Sequence, residues 1–190
     1  MNMKRLVLGV AVSTLTMVGC SSTMDVINQD NVDLVNTNQP IYTQVNLHPD
    51  AARKKLYTLN YLQEGFIPRC TKVDIVEANK KVMTFKVADT GLQYQYVWHK
   101  ATGDFQSGIV RDFGTSCPKL SGLNATDKKG IQEGRVYKGM TKAGVLNAIG
   151  YPPAHVTPST DMNTWVYWKN RFNKMNVLFN SQGLVENIQD

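Results

Sequence analysis

Cys20, Cys70, Cys117, His48, His99 and His155 are the side chains of this sequence with the most reactive chemistry to offer. A thiol attacks only as its thiolate, so a catalytic cysteine needs a histidine or another cation close by. His99 or His155 would supply that base, yet no local signature of a thiol enzyme surrounds Cys70 or Cys117. The sequence also lacks a Gly-rich phosphate loop, an HExxH helix, a GxSxG elbow, a CxxC pair and any tight His/Asp/Glu cluster. The expectation is a non-enzyme without metal or soluble cofactor.

The N-terminus carries a different message. Lys4 and Arg5 precede the apolar stretch Leu6 to Val18, which is shorter than the roughly 20 residues a spanning helix needs. A small residue and a cysteine follow, which is the grammar of an export signal. The ending Met17-Val18-Gly19-Cys20 resembles the bacterial lipobox. That resemblance implies removal of residues 1–19 and covalent lipid, palmitate included, on Cys20. Ser21 in place of Asp then implies passage to the outer membrane, with the protein facing mainly the periplasm. An ordinary secretory signal with a chance cysteine is the alternative. An exported chain meets an oxidising compartment, so a Cys70–Cys117 disulfide is expected. Loss of Lys4 and Arg5 leaves 19 basic against 15 acidic residues, a net +4. Such a balance suits anionic lipid headgroups or an acidic partner and lacks the clustered basic stripe of a nucleic-acid binder.

Elements must now carry these groups. Residues 20–40 are rich in Asn, Asp, Ser, Thr and Gln and read as a flexible tether behind the lipid, with Val26, Ile27, Leu34 and Val35 available to dock on a partner. Residues 41–117 have a period of two: Val73 and Ile75, then Phe85 and Val87, then Tyr94, Tyr96 and Trp98. Asn79-Lys80-Lys81 and Asp89-Thr90-Gly91 fall at the reversals of an antiparallel meander. Tyr94, Tyr96 and Trp98 would form a ligand platform if they faced outward; core packing is the commoner fate of aromatics at strand spacing. Asp50 predicts a short helix over 51–59. The stretch "IPRCTKVDI" resembles the entrance of an SH3-like small barrel.

A linker at 118–126, rich in Pro, Gly and Asn, ends this module. In residues 127–190, Thr126 or Asp127 predicts the cap of a first helix, where Gly130 and Gly134 would cost about 1 kcal/mol each. Thr141 predicts the cap of a second helix through Val145, Leu146 and Ile149, stopped by Gly150, Pro152 and Pro153. "TWVYW", "NVLFN" and "GLVENI" read as three strands, the last two joined at Ser181-Gln182-Gly183. The fold class is α+β, a strand-rich module followed by helix, helix, strand, strand, strand.

"GMTKAGVLNAIGYPP", "TWVYW" and "VLFNSQGLVENI" together resemble the SmpA/OmlA, or BamE-like, family of outer-membrane lipoproteins. Gly139, Met140, Thr141, Val145, Gly150, Pro152, Trp165, Tyr167, Phe179 and Gly183 match its pattern, over about Thr126 to Asp190. The resemblance implies two helices packed on a three-stranded antiparallel sheet and contacts with an outer-membrane β-barrel or its assembly machinery, and with anionic phospholipid headgroups. The chain departs from the pattern at Ala143 and Gly144, where acidic or amide residues are usual, and in the 41–117 module, which has no counterpart in BamE. Trp165, Tyr167, Trp168, Lys169, Arg171 and Phe172 are the candidate residues for a partner or headgroup, a mixture of aromatic and basic side chains. The functional expectation is a protein-interaction or scaffold lipoprotein of envelope assembly or integrity. The alternative is a periplasmic lipoprotein whose SH3-like module binds peptidoglycan or peptide.

Overall fold

The alternation read above builds three antiparallel strands, β3 (Lys72–Ala78), β4 (Val82–Val87) and β5 (Gln93–Val97), in the computed structural model, which describes residues 23–190. The export signal and Cys20 lie outside the described residues. Short strands β1 (Ile41–Thr43), β2 (Lys55–Tyr57) and β6 (Phe113–Gly114) complete a six-stranded sheet of order β2-β5-β4-β3-β1-β6. All its pairs are antiparallel except β2 with β5.

Helix α1 (Phe105–Asp112) contributes Phe105 and Ile109 to the core over this sheet. Phe85 stacks on Tyr94 with ring centroids 5.6 Å apart, and Phe113 meets Phe85 edge-on at 5.1 Å. Tyr94 and Tyr96 are therefore core, while Trp98 is half-buried and gives its indole N–H to Gly103 O at 2.9 Å.

Three expectations need correction here. Asp50 does accept an N–H, from Arg53 at 2.8 Å, but the helix does not continue. Lys54 takes a left-handed φ of 54°, and residues 55–57 pair with β5, which buries Leu56. Residues 23–40 are not a free tether over their described part: Met24 N–H donates to Ala78 O at 2.8 Å, and Val26 and Leu34 are buried in this module's own core. Their polar neighbours form turns, since Asn28 Oδ1 accepts from Asp30 and Val32 and Asp33 Oδ1 from Val26 and Val35. The strand-rich stretch 41–117 also holds helix α1, which Asp104 caps by accepting from Ser107 N at 2.8 Å. The sheet has two edges, β2 and β6, and one parallel pair.

The C-terminal unit has the expected order: α2 (Ala125–Glu133), α3 (Lys142–Ile149), then β7 (Thr164–Trp168), β8 (Lys174–Phe179) and β9 (Val185–Gln189) in one antiparallel sheet. Met140, Val145 and Ile149 pack with Trp165, Val177 and Phe179. The cap of α2 is Asn124, inside the expected linker, and Asp127 completes a capping box three residues on. Gly134 lies just beyond α2 at φ 64°, so its freedom closes the helix instead of weakening it. The protein is α+β, and Cys70 and Cys117 are bonded with their Cα atoms 5.2 Å apart.

Candidate functional site: a cationic aromatic cleft at the junction of the two units

Helix α3 is the joint. Of its last four carbonyls one is met by the helix's own C-cap and the other three by a distant part of the chain. Leu146 O accepts from Gly150 N at 2.9 Å, and Asn147 O from Asn46 N at 3.1 Å. Ala148 O accepts from Asn46 Nδ2 at 3.0 Å and His48 Nε2 at 3.1 Å, and Ile149 O from Asn60 Nδ2 at 2.8 Å. Asn46 Nδ2 also reaches Ile131 O of α2 at 2.7 Å. Burial pushes the His48 imidazole below its usual value, the bond to Ala148 opposing in part, so the neutral ring donates through Nε2.

A second seam fixes the β7–β8 hairpin. Leu62 N–H donates to Trp168 O at 2.9 Å and Gln63 Nε2 to Lys169 O. Trp168 stacks with His155 at 14° between planes, and Lys174 Nζ sits 4.5 Å from its ring centre. In the turn, Asn170 Oδ1 accepts from Phe172 N at 2.9 Å and Asn173 N at 3.0 Å. This exposes Phe172 to 76%, with the Arg171 guanidinium 4.6 Å from its ring.

Beside this second seam lies a cleft of about 590 Å³ that includes Arg53, Lys55, Tyr57, Tyr61, His99 and Arg171, with Asp50 also on its wall. Tyr57 and Tyr61 meet edge-on with centroids 5.7 Å apart. Burial raises the Tyr61 hydroxyl and lowers the His99 imidazole, the latter helped by His155 and Lys100. Arg53 pairs with Asp50 at 3.2 Å, whereas Lys55 and Arg171 make no ion pair among the described residues.

The candidate residues thus divide. Trp168, Lys169, Arg171 and Phe172 gather at the hairpin end, with Lys169 Nζ held by Asp190 at 2.8 Å. Trp165 and Tyr167 do not join them: both are fully buried, Trp165 edge-on to Phe179 at 4.6 Å and the Tyr167 hydroxyl donating to Gly150 O at 2.9 Å. The period of two sends positions 165 and 167 to the core face. A helix over 51–59 would align Arg53 with Tyr57 on one face and turn Lys55 away from both, so the helix reading does not gather this set. As a turn and a strand, the segment brings Arg53, Lys55, Tyr57 and Tyr61 to one cleft, while Lys54 sits over the Tyr94 ring at 5.7 Å.

A larger cavity of about 670 Å³ lies beside α1 and α3, and Arg111 and Tyr151 help to line it. Its guanidinium is already committed: Arg111 holds Asp112 through two bonds of 2.8 Å, and Asp112 Oδ2 accepts from the buried Tyr96 hydroxyl at 2.6 Å. Burial, with the Asp112 charge beside it, pushes that hydroxyl well above its usual value. This network braces α1 on the sheet. Among the described residues no three His, Cys, Asp or Glu side chains gather as a metal site, and no helix is long and apolar enough to cross a membrane.

Comparison of the chain with family models, curated proteins and solved structures finds no match.

Proposed function

We propose that the protein is an outer-membrane lipoprotein that acts as an interaction or scaffold component in envelope assembly or integrity, without enzymatic activity. The observation that carries this reading is the hairpin end, where Phe172 is 76% exposed beside Arg171 on a support fixed by hydrogen bonds from the other unit. An exposed aromatic flanked by arginine on a rigid element has the make-up of a binding hot spot. The export signal and Cys20 give the address. The order α2, α3, β7, β8, β9 supports the SmpA/OmlA resemblance and with it a barrel or its assembly machinery as partner, with anionic headgroups as a further contact. The SH3-like reading of the first unit stays a finer proposal about a sheet of mixed order.

A photoreactive residue at Phe172 in intact cells tests the reading. Capture of an outer-membrane barrel or its assembly machinery is the expected result. Recovery of lipid or glycan alone overturns the partner. A second reading, a ligand-binding lipoprotein, is favoured by one observation, the cationic cleft beneath the hairpin.

A further inference from the structure

We propose that the cleft between the Asp50–Gln63 segment and the β7–β8 hairpin binds a carboxylated saccharide, an inference that rests on the ligand-binding reading. Its volume of about 590 Å³ falls in the range of small-ligand pockets, roughly 300–1,000 Å³. Three kinds of group converge on it. The first is charge without a partner: Lys55 and Arg171 line the cleft and form no ion pair among the described residues. A guanidinium takes a carboxylate in two parallel bonds, so Arg171 is the anchor for the acid group.

The second is an aromatic wall. Tyr57 and Tyr61 are half-buried and set edge-on at 5.7 Å, which fixes both rings and leaves area for the C–H face of a pyranose. The third is a pair of amides with one end already used. Gln63 spends its Nε2 on Lys169 O, which leaves Oε1 as an acceptor. Asn170 spends its Oδ1 on two backbone N–H groups, which leaves both Nδ2 protons as donors. One oriented acceptor and one oriented donor fit the hydroxyl and acetamido groups of a sugar. A bare anion would use neither amide nor tyrosine.

An acidic peptide fits less well. Strand β2, the sheet edge at this cleft, has three residues and so offers an added strand few main-chain bonds.

The test is titration of the full chain in detergent, read by NMR at the Gln63 and Asn170 side-chain amides. The probes are N-acetylglucosaminyl-N-acetylmuramic acid, neutral chitobiose, an acidic hexapeptide and inorganic phosphate. The carboxylated disaccharide should shift both amides saturably and bind about tenfold or more tighter than chitobiose. Arg171→Glu and Lys55→Glu should each weaken it by about tenfold or more, while Lys128→Glu, an exposed charge on α2, should leave it unchanged. Arg171 and Lys55 are not core residues, and the unchanged remainder of each variant's spectrum reports that it folds. Equal binding of chitobiose, equal weakening by Lys128→Glu, or saturation by peptide or phosphate instead overturns the saccharide while the ligand-binding reading stands. Silence of both amides towards every probe overturns both.

Discussion

Asp127 shows how much one side chain can organise. Its carboxylate is fully buried, yet it accepts from Asn124 N at 3.0 Å, from Thr141 N at 2.7 Å and from Thr141 Oγ1 at 3.1 Å. One acid therefore serves the N-termini of both α2 and α3, where the helix dipoles favour negative charge. This supplies the capping box that Ala143 and Gly144 cannot form within α3. It also explains Gly144, because a Cβ there would collide with the Asp127 carboxylate. Asp127→Ala should lower stability by about 2–4 kcal/mol, measured by urea unfolding, since buried donors lose a charged partner. Gly144→Ala, which would gain about 1 kcal/mol in an open helix, should destabilise here. With Asp127→Ala already present the same substitution should turn neutral or favourable, a non-additivity that a double-mutant cycle reads. Additive losses would place the cost of Gly144→Ala elsewhere.

At the scale of elements, α3 is a helix of eight residues whose C-terminus is finished by another part of the chain. Its N-cap, Thr141, and its stop at Gly150, Pro152 and Pro153 follow from local chemistry and were legible. The partners of its carbonyls were not, because Asn46 and Asn60 lie 102 and 89 positions from the carbonyls they serve and no local pattern links them. Asn60→Ala would leave Ile149 O and Tyr151 O without this donor and should cost about 1–3 kcal/mol. Wild-type urea midpoints in that variant would remove Asn60 from the joint.

His48 gives the joint a pH dependence. Its folded-state value lies below the ordinary 6.5, so the unfolded chain binds the proton more readily. Stability from this group is fully present above about pH 6.5 and is lost as pH falls from there towards the depressed folded value. His48→Gln, which keeps an N–H donor, should lose less stability than the wild type between about pH 7.5 and about pH 5. Identical pH profiles would refute the assignment.

For the whole molecule, the disulfide and the joint decide how the parts hold together. Cys70–Cys117 closes a loop of 47 positions that contains β3, β4, β5, α1 and β6. In the chain-entropy model such a loop is worth roughly 4 kcal/mol at most. Reduction, or Cys70→Ser with Cys117→Ser, should lower the urea midpoint by an amount up to that limit. Because Asn46, His48, Asn60, Leu62 and Gln63 tie one unit to the other, both should unfold together. Fluorescence of Trp165, buried in the C-terminal unit, and far-ultraviolet circular dichroism of the whole chain should then give one midpoint. Separate midpoints would make the joint a loose contact.

Local chemistry in the sequence sufficed for the meander, the two C-terminal helices, the three final strands and the Cys70–Cys117 pair, because period, caps, stops and oxidation are decided within a few residues or by compartment. Only the tertiary structure decided that residues 23–40 fold onto the first unit, since Val26 and Leu34 have too little apolar company until β3 and α1 lie beside them. Only it turned "KLY" into a strand, because a parallel edge on β5 outweighed the weak helix signal after Asp50. The candidate site divided in the same way. Sequence pointed to the hairpin end, and packing withdrew Trp165 and Tyr167 to the core while bringing Arg53, Lys55, Tyr57 and Tyr61 to face Arg171. A cleft between distant segments is a property of how they pack, and no period or spacing along the chain encodes which side chains will meet across it.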